Sequence, residues 1–167
     1  MDHIHQKGPF SAGASVEGPR PAGKTPVAPV RGLVGDALLI SADVTHREMW
    51  RKVLESEGLH VEEADSGVAA VVAARSIAPV VLCIDLQLRD VPGLLAIDWL
   101  RSNPALGTTP IIVTYASATE RSNLATLSHV IAVPKPASPE TIRNAVVKAL
   151  GRKQSAAHLE QGGTRSK

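Results

Sequence analysis

Strand-length runs that are apolar from end to end, alternating with segments of helical period, constrain this chain more than any other feature. A strand with one solvated face alternates apolar and polar residues. One that is apolar throughout must be covered on both faces, which is the pattern of a parallel sheet packed between helices. "ALLIS" at 37–41, the run Val80 to Ile84, "TPIIVTYA" and "VIAVP" supply four strands, and "LHVEEA" reads as a weaker one.

The intervening segments carry helix signals. In "THREMWRKVLESEG", Met49, Trp50, Val53 and Leu54 recur at helical spacing, and Gly58 supplies the stop. "DSGVAAVVAARS" offers Asp65 or Ser66 as a cap for a helix that must end near Pro79. "LLAIDWLRS" follows the turn "RDVPG", and "SATERSNLATLS" is a short, poorly patterned helix. In "SPETIRNAVVKALG", Ser138 caps, Pro139 takes the first helical position, Glu140 lies near the positive helix end, and Gly151 stands past the C-terminus. Five strands alternating with five helices predict an α/β fold: a doubly wound five-stranded parallel sheet with helices on both faces.

The third strand holds the chemistry. In "PVVLCIDLQLRDVPG" five apolar residues pass directly into Asp85. Open sheets of this kind bind ligands beyond the carboxyl ends of their strands, where the strand order reverses. Asp85 ends its strand at that edge and is expected to emerge from the core into a crevice.

Composition excludes several classes. The 167 residues suit one domain. No apolar run approaches the ~20 residues needed to cross a bilayer. "MDHIHQKGPF" lacks the apolar stretch of a secretory signal, so a cytoplasmic location is expected. Cys83, the single cysteine, lies within an apolar run and reads as a small buried hydrophobe. Phe10, Trp50, Trp99 and Tyr115 are too few and too scattered to stack single-stranded nucleic acid.

Residues 36–151 carry ten basic and thirteen acidic side chains, against four and two in residues 1–35 and four and one in residues 152–167. A mildly acidic middle argues against a nucleic-acid-binding core. With six glycines and five prolines in residues 1–35, and little apolar bulk after 151, both ends are expected to be disordered tails around a domain at 36–151. His3 and His5 read as solvated tail residues, and residues 152–167 are too few for a DNA-binding or other output domain.

Over about residues 36–151 the chain resembles the receiver domain of bacterial two-component response regulators. The motifs are a strand ending on Asp85, Gly93 eight residues on, and Lys135 with Pro136 in "VPKP" after the fifth strand. The resemblance implies a flavodoxin-like, receiver-type fold. It also implies that Asp85 accepts a phosphoryl group from a histidine kinase or phosphotransfer protein and that Lys135 pairs with the added charge. Magnesium would be held by Asp85, Asp43 and the backbone carbonyl of Gln87. Such a chain is no enzyme, and its signal passes by contact with a downstream protein. The underlying chemistry is general: a carboxylate that attacks phosphorus must approach an anion, so cations have to offset the repulsion.

The chain also departs from that pattern. Receivers carry an acidic pair after the first strand, where Ser41 and Ala42 stand here. Asp43 follows, either as a metal ligand or as the cap of the helix beginning near Thr45. Tyr115 occupies the place of a small hydroxyl, and the adjacent Thr114 is expected to face the other way. Ala132 stands where an aromatic switch residue is common, and the segment from Tyr115 to Lys135 is about two residues short of the family's usual length, which implies an abbreviated helix. An alternative reading follows from these gaps: a phosphorylation-independent interaction module with Asp85 and Lys135 as a structural ion pair. In that reading Leu95 and Trp99, four apart on one helix, form an apolar pair on its flank.

Overall fold

A computed structural model describes residues 35–161, with side chains through 151. The elements run β1 (Gly35–Ile40), α1 (Val44–Ser56), β2 (Leu59–Ala64), α2 (Gly67–Ser76), β3 (Val81–Asp85) and α3 (Gly93–Arg101). After a short 3-10 turn (Pro104–Leu106) come β4 (Ile111–Tyr115), α4 (Ala118–Leu124), β5 (Val130–Pro134) and α5 (Pro139–Gln161). All strand pairs are parallel, in the order β2-β1-β3-β4-β5. This is the doubly wound sheet that the apolar runs predict.

Alternation within each strand divides the core in two. Ala37, Leu39, Val81, Cys83, Ile112, Ile131 and Val133 face α1 and α5, where Trp50, Leu54, Ile142 and Val146 cover them. Leu38, Ile40, Leu82, Ile84, Ile111 and Val113 face the opposite layer of Ala70, Ala74, Ala96, Ile97, Leu100 and Leu124 from α2, α3 and α4. Every residue of β3 is buried. At roughly 1.5–3 kcal/mol for each fully buried Val, Leu or Ile, this central strand anchors both layers.

Local chemistry sets the boundaries. Gly58 takes φ 83°, the left-handed conformation that ends α1. Of the two candidate caps for α2, Ser66 accepts from the Ala69 N–H. Asp90, from the loop after β3, adds hydrogen bonds from Gly67 N at 2.9 Å and Val68 N at 3.0 Å. The segment after β4 is indeed short: α4 ends at Leu124, held at its start by a capping box of Ser117 and Glu120. At the opposite edge of the sheet, the Arg101 guanidinium donates to the carbonyls of Leu106, Gly107 and Thr109 and so ties the end of α3 to the entry of β4.

One boundary differs from the sequence reading. Helix α5 does not stop at Gly151 but continues to Gln161, so part of the expected disordered tail is helical. A glycine inside a helix costs only about 1 kcal/mol relative to alanine, too little to end a helix that Arg152, Lys153 and Gln154 continue. Residues 1–34 and 162–167, including His3 and His5, lie outside the described residues.

Two glycines on helices give opposite predictions. A Cβ on Gly93 would lie 2.5 Å from the Leu86 Cα and 2.8 Å from its carbonyl oxygen, so Gly93→Ala should destabilise the domain by about 1–3 kcal/mol in urea unfolding. A Cβ on Gly151 meets nothing within 4 Å, and Gly151→Ala should leave stability unchanged or raise it by up to about 1 kcal/mol.

Candidate functional site

The register of β1, β3 and β4 brings the polar residues to one edge. Ile40 pairs with Ile84 and Asp85 with Thr114, so Ser41 and Asp85 continue the rows that face α1 and α5. Lys135 follows β5 two residues after Val133, on the same face, and its N–H is tied to the Tyr115 carbonyl at 2.8 Å. The peptide between Lys135 and Pro136 is cis.

These rows converge on Asp85. Lys135 Nζ donates to Asp85 Oδ2 at 2.5 Å, and the Ser41 hydroxyl donates to the same oxygen at 3.3 Å. The Gln87 backbone N–H donates to Oδ1 at 3.0 Å. Asp85 is only 1 % exposed, yet it lines an open crevice of about 390 Å³ shared with Ala42, Asp43, Val44, Gln87, Arg89 and Lys135. A buried carboxylate is tolerated because a cation and two neutral donors satisfy both of its oxygens.

Asp43 resolves to the second of its two expected roles. Its Oδ1 accepts from Thr45 N at 2.8 Å and His46 N at 3.1 Å, making it the N-cap of α1. The His46 N–H, then that of Thr45, holds its carboxyl below the usual range. The carbonyls of the same loop are also taken. Arg47 Nη1 donates to the Ser41 carbonyl, and Arg89 Nη2 to the Ala42 carbonyl at 3.3 Å. In the sequence, Ser41 figures only as the replacement for an acid, and Arg89, a loop arginine, carries no spacing signal.

Three neighbours depart from expectation or confirm a gap. Thr114 does not face away from Asp85 but lies in register with it, because its row shares the face of Ile112; its hydroxyl is directed to the Ile84 carbonyl at 3.5 Å. Tyr115 packs instead against the layer of α3 and α4. Ala132 is exposed on β5 and carries no ring that could swing inward.

The family model for the response regulator receiver domain matches residues 37–147. This chain belongs to that family. Among curated relatives, the polar-differentiation response regulator DivK of Brucella ovis is 27 % identical over 81 residues, 48 % of this chain and 66 % of the relative's length. The chemotaxis protein CheY4 of Vibrio cholerae superposes with a TM-score of 0.65 at 21 % identity, over 71 % of this chain and 100 % of that one. The receiver domain of the sensor histidine kinase PA1611 of Pseudomonas aeruginosa, solved with a magnesium ion coordinated in its active-site cleft, superposes with a TM-score of 0.64 at 20 % identity, over 71 % and 99 %. The last two likenesses establish the fold.

Magnesium in this cleft is a receiver property, but the donors here do not fit it. The ion wants about six oxygens in octahedral array, usually one or two of them carboxylates. Both Asp85 oxygens already accept hydrogen bonds, Asp43 caps a helix, and guanidinium groups occupy the Ser41 and Ala42 carbonyls. Of the expected set only the Gln87 carbonyl and the second carboxylate oxygen of Asp43, Oδ2, remain uncommitted, and among the described residues no group of three or more His, Cys, Asp or Glu could hold a metal ion.

His46 sits behind this receiver's crevice, stacked on buried Trp50 with ring centroids 5.5 Å apart. Neither of its ring nitrogens has a hydrogen-bond partner among the described residues. Burial lowers its pKa, outweighing the pull of Asp85. A histidine kept neutral by folding contributes stability that is complete above its unfolded pKa of about 6.5 and is lost as pH falls below it. Melting temperature should therefore drop between pH 7.5 and 5.5, and His46→Phe should flatten that slope; equal slopes in both proteins would refute the assignment.

Proposed function

We propose that this receiver acts as a response regulator that accepts a phosphoryl group on Asp85 in a two-component relay and signals by contact with another protein. The observation that carries this reading is the pairing of Asp85 with Lys135 inside an open crevice at the carboxyl edge of the sheet. In the transfer, a carboxylate oxygen of Asp85 attacks phosphorus and forms a new P–O bond. The P–N bond of a phosphohistidine donor breaks, and its electron pair returns to the imidazole. Lys135, a flexible point charge already at the carboxylate, follows the negative charge onto the phosphoryl oxygens. Ser41 supplies a hydroxyl donor on the same side. The added charge of about −1.5 to −2 then redistributes the contacts of the surrounding loops.

The donor is a histidine kinase or a phosphotransfer protein, the setting is the cytoplasm, and the domain turns over no diffusible substrate. Apart from Asp85 itself, no step in this account needs the metal donors that the loop after β1 lacks.

A second reading has its own support. Asp85 is buried with both oxygens satisfied, as a structural ion pair would be. The layer of α2 and α3 exposes Val68 at 56 %, Val72 at 59 %, Leu95 at 40 % and Trp99 at 37 %, apolar surface suited to a protein interface. In that reading the domain docks partners regardless of phosphate.

Intact-mass measurement after incubation with acetyl phosphate or a cognate kinase separates the two. The native protein should gain one phosphoryl mass and Asp85→Asn none. No gain in the native protein under any condition would leave the interaction module as the function.

A further inference from the structure

The crevice around Asp85 has its own complement of charge. Two carboxylates, Asp43 and Asp85, and two cations, Arg89 and Lys135, line it, so it is formally neutral before any metal ion enters. The Arg89 guanidinium is held beside the Ala42 carbonyl, on the loop where the family's acidic pair would stand. Lys135 approaches Asp85 from the loop after β5, and Ser41 adds a hydroxyl from the loop after β1. A divalent cation entering here would meet two positive charges beside the two carboxylates, and a loop whose carbonyls already accept from arginines. A phosphate dianion would meet two cations and a hydroxyl donor.

We propose that this crevice is a phosphoanion site that works without a divalent cation, with Arg89 supplying the second positive charge beside Lys135. This deepens the reading of Asp85 as acceptor and rests on it for the transfer step, but the anion site itself is open to a separate measurement. Guanidinium suits the task because its planar fork donates to two phosphate oxygens at once and stays charged at any working pH. Arg89 is exposed on its loop, so it can leave the Ala42 carbonyl and turn onto a phosphoryl group without disturbing the core. With acetyl phosphate as donor, the step balances without a metal or a proton. An Asp85 oxygen bonds to phosphorus, the P–O bond to the acetyl group breaks, and acetate leaves with the electron pair.

Two measurements on the full chain test this. In the first, Asp85→Asn in EDTA is titrated with inorganic phosphate and followed by phosphorus NMR. Saturable binding is expected, unchanged by added magnesium and weakened about tenfold by Arg89→Gln. Binding that requires magnesium, or that Arg89→Gln leaves intact, overturns the proposal. In the second, the native protein and Arg89→Gln are incubated with acetyl phosphate in EDTA and weighed intact. Phosphoryl mass on the native protein, formed about tenfold more slowly on Arg89→Gln, supports the proposal, and this arm stands even if Asp85→Asn fails to fold. Mass gained only with magnesium overturns it while leaving Asp85 as acceptor. Metal-independent phosphate binding with no mass gained under any condition upholds the anion site and removes the acceptor role instead.

Discussion

Burial of β3 on both faces is the constraint from which the rest follows. A strand whose residues are all covered has only its ends at which to place a charge, and Asp85 takes the carboxyl end. Neighbouring strands must run parallel to it in register, so their own ends arrive at the same edge, with Ser41 and Lys135 beside the carboxylate. The crevice is thus a by-product of how the core is packed, and its chemistry depends on which few side chains stand at those strand ends.

The loop after β1 shows how a small change in residue type reassigns a whole set of groups. With Ser41 and Ala42 in place of two acids, the backbone there is organised by hydrogen bonds from within the protein: Asp43 N donates to Ser41 Oγ at 3.2 Å, and the Asp43 carboxylate turns to the start of α1. Arg47 bridges the loop to β2, donating to the Ser41 carbonyl and pairing with Glu63 at 3.4 Å. Carbonyls and carboxylates that could face an ion are drawn into capping and arginine contacts. Positive charge then reaches the crevice as side chains on two loops, and such cations are less sharply placed than a coordinated ion.

The loop after β3 is fixed just as firmly from its other end. Gly93 lets α3 begin against the backbone of Leu86, and Asp90 spans to the first N–H groups of α2. The segment carrying Gln87 and Arg89 therefore hangs between two anchored points, which confines where their groups can act. The apolar residues exposed on α2 and α3 lie on the layer next to those anchors.

Most of the architecture was legible in the chain because its signals are short-range. Apolar runs, helical spacing, Ser66, Gly58 and Ser138 each act within a few residues, and they suffice for five strands, five helices and the position of Asp85 at an edge. Gly151 misled for the same reason: a local stop signal worth about 1 kcal/mol yields to the residues that extend α5. What only the tertiary structure decided are contacts between elements distant in sequence: Ser41 on Asp85, Arg89 on the Ala42 carbonyl, Asp90 on α2, and Thr114 on the face of Asp85. Such contacts depend on strand register and side-chain rotamer, which periodicity does not encode, so the sequence could place Asp85 at the strand end without revealing which groups surround it.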